Sequence, residues 1–302
     1  MNNSNSFHKN SLIVYLLLAI GITWLCWLPG LIIGYQQGYM MPNFDTYHLL
    51  FESGFENTEH ILLAILFFLG VYGPLIAGLV ATWMDSGREG LSDLWRRIAK
   101  WRIEGKWYLY ALIITFLLAA IPVAIFGLLG GFTLSSLALF YILGLFLAQI
   151  LRSGLGEEPG WRGFLLPRFK ARTQGNKYIW KLGLVWSIWH YPIIIAQSLN
   201  MMQDVTVPQM LIVILLQLAV NAIALIGLTY IYAWLYNNTR SVFLCIVFHA
   251  LSNLFVFWFS SFLAAPQMAG LAIALMPWVV VIFMQRRLGK DRFPGPQPHP
   301  AE

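Results

Sequence analysis

The sequence predicts an all-α membrane protein with about eight transmembrane helices and an amphipathic helix at the cytoplasmic interface. Three observations lead there. First, 59% of the 302 residues are hydrophobic and only 11% are charged, whereas a soluble domain carries about 25% charged residues. Second, the apolar residues fall in long runs separated by short polar loops, which is the pattern of a polytopic helical protein. Third, basic residues collect in every second loop, as the positive-inside rule requires of a multi-pass chain. A closed β-barrel also satisfies its backbone in lipid. Barrel strands alternate in hydrophobicity, and no such alternation persists over many segments here.

The runs place spans at 12–34, 61–84, 107–129, 134–155, 180–199, 208–235, 241–262 and 267–285, each near the ~20 residues a bilayer demands. The first run, Leu12 to Ile33, is too long for the apolar stretch of a signal peptide and is read as a retained helix. Pro277 lies inside the eighth span. One polytopic domain covers 1–302, and the tail 286–302, ending in PGPQPHPAE, is expected to be disordered and cytoplasmic.

Loop charge sets the orientation. Residues 35–60 contain Asp45, Glu52, Glu56 and Glu59 but no Lys or Arg. The second loop carries Arg88, Arg96, Arg97, Lys100, Arg102 and Lys106, and the fourth carries Arg168, Lys170, Arg172, Lys177 and Lys181. Arg240 marks the sixth turn, and Arg286 and Arg287 follow the last span. Both termini are therefore expected in the cytoplasm. The net charge of +6 reflects these span ends rather than a nucleic-acid surface. Within the second loop, Leu91, Leu94, Trp95, Ile98 and Trp101 share one helical face, the signature of an interfacial helix. Cys26 and Cys245 lie in apolar runs with no CxxC pair, which leaves neither a disulfide framework nor a cysteine zinc site.

Three polar clusters interrupt this apolar chain. They are Glu157, Glu158 and Arg162 in GEEPGWRGF, His190 in WSIWH, and His249 with Asn253 in FHALSN. Ionisable groups at bilayer depth are costly and mark function. His190 is nine residues beyond Lys181, and His249 nine beyond Arg240. At 1.5 Å per residue, each lies roughly 13 Å along its helix. Both spans cross in the same sense, so the imidazoles can share a level in the cytoplasmic half. Trp186 and His190 are four apart, as are His249 and Asn253, so each pair shares a face. Glu158 and Arg162 have the favourable i,i+4 order, while Pro159 and the nearby glycines place the glutamates at a helix break or start. Gln149, Gln217 and Asn221 read as polar groups joining helices.

EEPGWRGF follows an EExxxR pattern, WSIWH an aromatic-xxx-His pattern and FHALSN an HxxxN pattern. In this order and setting they resemble the CPBP family of intramembrane proteases, which includes type II CAAX prenyl proteases and bacterial relatives. The resemblance covers about 145–255 and implies a conical protease-type core there. It implies Glu157 as general base, His190 holding the attacking water, and His249 with Asn253 stabilising the oxyanion. Glu158 would pair with Arg162, and Trp186 would support the site. It also carries a metal reading, in which Glu157, His190 and His249 hold a divalent ion such as zinc. The implied partners are a membrane-associated peptide or protein cut near the cytoplasmic face and the surrounding lipid, with no nucleic acid. The expected setting is a bacterial plasma membrane. Two other classes stay open: a proton-coupled transporter, since Glu and His also build proton relays, and a non-catalytic scaffold or immunity factor.

Overall fold

The computed structural model describes residues 4–42, 46, 50, 52–133, 139–201, 205–265, 269–289 and 293–295. In chain order, α1 is Ser4–Gln37, α2 Thr58–Gly70, α3 Gly73–Ile98 and α4 Gly105–Gly130. Next come α5 (Leu139–Gln149), α6 (Leu155–Glu158), α7 (Leu166–Ala171), α8 (Lys177–Trp189) and α9 (Tyr191–Met201). The chain closes with α10 (Val207–Thr239), α11 (Val242–Ser260) and α12 (Gly270–Leu288). Among the described residues there is no strand, only an isolated bridge between Phe132 and Leu263. The all-α membrane class is therefore as the sequence predicts.

Among the described residues, five helices are singly long and apolar enough to cross a membrane, and two bent pairs raise the number to as many as seven. The expected span at 134–155 is the one outside this set. Its start, 134–138, lies outside the described residues, and its end leaves α-geometry. The expected tail, 286–302, likewise falls largely outside them.

The bends sit where prolines remove backbone donors. The α2–α3 pair bends by 45° just before Pro74, and α8–α9 by 47° just before Pro192. Proline lacks the N–H that an uninterrupted helix needs, yet suits a first turn. Pro159 acts differently from expectation. It neither breaks nor starts a helix, because Glu158 and Pro159 both keep right-handed helical angles. Instead the helix widens into π-geometry at Ile150–Gly154 and again at Pro159–Leu165. A widened turn re-registers the carbonyls around the missing donor, and such π-bulges gather at functional sites.

Small residues bring this widened helix close to its neighbours. A side chain at Gly160 would collide with the Pro74 carbonyl, and one at Gly78 would meet the Gly160 backbone at 3.1 Å. Close backbone approach through small residues is how helices pack in lipid, where apolar burial gives no preference over the tails. Aromatic rings fill the adjoining core. Tyr15 stacks on Phe164 at 4.8 Å, and Trp27 meets Trp189 at 4.6 Å.

The segment expected as an interfacial helix forms the end of α3, beyond a kink at Gly87 (φ 53°). Leu94 and Ile98 are buried against the core, whereas Trp95 and Trp101 stay exposed. Arg97 clamps it down through the Gly163 carbonyl and the Tyr236 hydroxyl, each at 2.7 Å.

Candidate active site

The two neighbouring glutamates have opposite surroundings. Glu158 is fully buried and accepts hydrogen bonds at one oxygen from Arg162 Nη1 and His249 Nδ1, both at 2.8 Å. Arg162 is also fully buried. Its guanidinium lies 3.6 Å from the Tyr232 ring centre and 4.1 Å from that of Trp186, so aromatic faces cover the cation. Charges this deep persist only when paired. The i,i+4 spacing read from the sequence is thus realised as a buried ion pair.

Glu157, one residue earlier, faces a cavity of about 220 Å³ shared with Trp186, His190, His249 and Asn253. Its Oε2 accepts from Trp186 Nε1 at 2.9 Å, and its Oε1 lies 3.9 Å from His249 Nε2. Glu158 does not line this cavity. Its contacts are with Arg162 and His249.

The imidazole tautomers follow from their partners. His190 Nδ1 lies 2.8 Å from the Trp186 carbonyl, which only accepts, so Nδ1 carries a proton and Nε2 is left for the cavity. His249 Nδ1 faces the Glu158 carboxylate, so the same logic leaves its Nε2 toward Glu157. Trp186 stands between the two rings, with centroid distances of 5.9 Å to His190 and 6.0 Å to His249. Both histidines line one cavity.

Asn253 also lines the cavity, but its amide is held from behind. Its Nδ2 donates to Gln149 Oε1 at 3.0 Å, and Ser153 Oγ donates to the same oxygen at 3.0 Å. Sequence reading treated Gln149 as helix glue and passed over Ser153 and Arg152. Gln149 does join two helices, α5 and α11, yet the residue it holds is in the site. No local spacing exposes a pair 104 residues apart. Asn221, also read as glue, donates to Ser187 Oγ at 2.8 Å, and neither residue lines the cavity.

The donors do not form a metal centre. Among the described residues, no three His, Cys, Asp or Glu side chains converge in a group able to hold an ion. Glu157, His190 and His249 do not form such a group, and no chemical step is assigned to a divalent ion.

The cavity adjoins a larger cavity, of about 820 Å³, at Ile193 and Gln197. That cavity is lined by the end of α1 and by Met40, Met41 and Thr46.

The sequence places these groups in a known setting. Residues 136–255 match the family model described as "Type II CAAX prenyl endopeptidase Rce1-like". That interval contains Glu157, Glu158, Arg162, His190, His249 and Asn253. The chain is also 24% identical, over 233 residues, to "CAAX prenyl protease 2" of Methanococcus maripaludis, covering 72% of this chain and 82% of the relative. All three motifs lie inside the matched interval and meet at a single site, so over these residues the chain is similar to type II CAAX prenyl endopeptidases.

Proposed function

We propose that this protein is an intramembrane endopeptidase that hydrolyses a peptide bond of a membrane-associated peptide or protein, with Glu157 as the general base. The observation that carries the proposal is the division between the two glutamates: Glu157 faces a cavity with two imidazoles, while Glu158 is consumed by Arg162 and His249.

Water held between Glu157 and His190 attacks the carbonyl carbon as its proton passes to Glu157. The carbonyl π pair moves onto oxygen, giving a tetrahedral oxyanion. Asn253 Nδ2 has a second N–H beyond the one given to Gln149, and it donates to that oxygen. His249 Nε2, when it carries a proton, donates there as well. The oxyanion then collapses, the C–N bond breaks, and Glu157 returns its proton to the departing nitrogen. The products are a carboxylic acid and an amine, and Glu157 is regenerated. Trp186 holds the unused Glu157 oxygen, which aims the other at the water.

The test compares wild type with Glu157→Gln in native membranes by identifying peptides whose termini change. Loss of a base of this type costs about 10²–10⁴-fold in rate, so the Glu157-dependent termini should vanish while the protein still accumulates. The same termini appearing at an unchanged rate would reject the assignment.

A further inference from the structure

We propose that the groove between the α3–α4 loop and the α10–α11 turn binds the headgroup of an anionic membrane phospholipid. This groove shares no lining residue with the Glu157 cavity.

The groove encloses about 670 Å³, within the ~300–1,000 Å³ range of pockets that take a ligand. Its cations are Lys100 and Arg102. Among the described residues, neither is paired with a carboxylate. Lys100 Nζ donates to the Thr239 carbonyl at 2.8 Å, and the Arg102 guanidinium lies over Trp101, 4.9 Å from its ring centre. The acid at the rim, Glu104, is already held by Lys106 Nζ at 2.6 Å. The groove therefore keeps two positive charges that the protein does not neutralise. A guanidinium over an aromatic face retains its in-plane N–H donors for phosphate oxygens. The Lys100 ammonium has further N–H donors beyond the one given to Thr239.

The walls are set before any ligand arrives. Ser241 Oγ donates to the Lys100 carbonyl at 2.6 Å, and the Tyr108 hydroxyl donates to the Trp101 carbonyl at 2.7 Å. The Trp107 ring packs against Trp234 at 5.0 Å. A loop fixed in this way has little ordering entropy left to lose on binding.

Position selects a lipid as the source of the phosphate. The groove lies at the start of α4, a helix long and apolar enough to cross a membrane. Leu109, Leu112, Ile113 and Phe116 are exposed along that helix just beyond the groove. Trp101, 57% exposed, stands on the other side, and tryptophan collects at headgroup level. Cations at that level meet lipid phosphates, and basic pockets beside spanning helices take such headgroups. A free phosphate would use the same donors, but only a lipid also covers the exposed apolar face of α4. The site depends on the border of the span and not on which face of the membrane it occupies.

The test uses the purified full-length protein in detergent micelles at about 0.15 M salt, where distant surface charges are screened. Phosphatidylglycerol and phosphatidylcholine with the same acyl chains are titrated in turn, and the thermal midpoint reports binding to the folded state. Phosphatidylglycerol is expected to raise the midpoint saturably, and phosphatidylcholine to leave it unchanged. Arg102→Ala should weaken the apparent affinity about fivefold, the effect of one cation near a lipid surface. Arg96→Ala removes an exposed cation of the same segment that lies outside the groove. It should change the affinity by about twofold or less. Equal shifts with both lipids, equal weakening by both variants, or the same shift with inorganic phosphate alone would each overturn the proposal. If Arg102→Ala does not accumulate, Arg102→Gln removes the same charge while keeping a polar side chain.

Discussion

Glu157 and Glu158 are adjacent, share one helical turn and have the same side chain, yet one carboxylate meets a cavity and the other meets a cation. On the Glu158 side, Arg162, His249 and two aromatic faces leave no room and no solvent. On the Glu157 side, one oxygen is held by an indole and the other faces open volume. The lesson is that a paired motif can divide labour between holding and reacting. In the proposed mechanism the locked member fixes a histidine tautomer beside the free one.

The comparison breaks most sharply at Arg162. Arg162→Ala strands the Glu158 carboxylate in the core, and removing one partner of a buried pair costs about 3–5 kcal/mol. We expect a large drop in thermal midpoint in detergent, whereas Glu157→Gln should leave the midpoint nearly unchanged. Equal losses in both variants would erase the distinction between the two carboxylates.

Trp186→Phe probes the Glu157 side. It keeps most of the ring but deletes the donor to Oε2. A hydrogen bond to a charged group contributes about 1.5–3 kcal/mol, which corresponds to a loss in kcat/KM of about ten- to a hundredfold. The fall should lie mainly in kcat, since the indole aims the base rather than binding the peptide.

Gly160→Ala tests the close approach that brings both carboxylates into place. The added methyl would collide with the Pro74 carbonyl, and overpacking of this kind costs about 1–3 kcal/mol. Lower stability in unfolding assays, accompanied by partial loss of cleavage, is the expected result.

The smallest effect lies outside the membrane, at the end of α7. Burial, with the Arg240 charge nearby, lowers the Lys170 ammonium from 10.5 to about 8. The unfolded chain then binds this proton more readily than the folded one between those values. Stability contributed by this group therefore rises with pH across that window and is flat below about 8. Lys170→Gln should flatten this part of the stability profile. An unchanged slope would show that Lys170 is not its source.

Much of the site was readable in one dimension because its shortest relations are helical. The four-residue steps from Glu158 to Arg162 and from Trp186 to His190 become an ion pair and a shared face. His190 and His249, equally far along the chain from basic span ends, line one cavity. What escaped was contact across helices: Gln149 behind Asn253, Trp186 on Glu157, and Tyr232 over Arg162. Pro159 escaped for another reason. Its missing donor allows either a break or a widened turn, and packing of Gly160 against Pro74 accompanies the second.

By itself the sequence determined that this chain is helical, that it belongs in a bilayer, and which ionisable groups occupy its interior, because run length, charge at span ends and i,i+4 spacing are local properties. Tertiary structure alone decided which glutamate faces the cavity and which is held by Arg162 and His249. Those depend on which face of each helix meets which neighbour, and bent and π-widened helices rotate faces by amounts that no repeat in the sequence encodes.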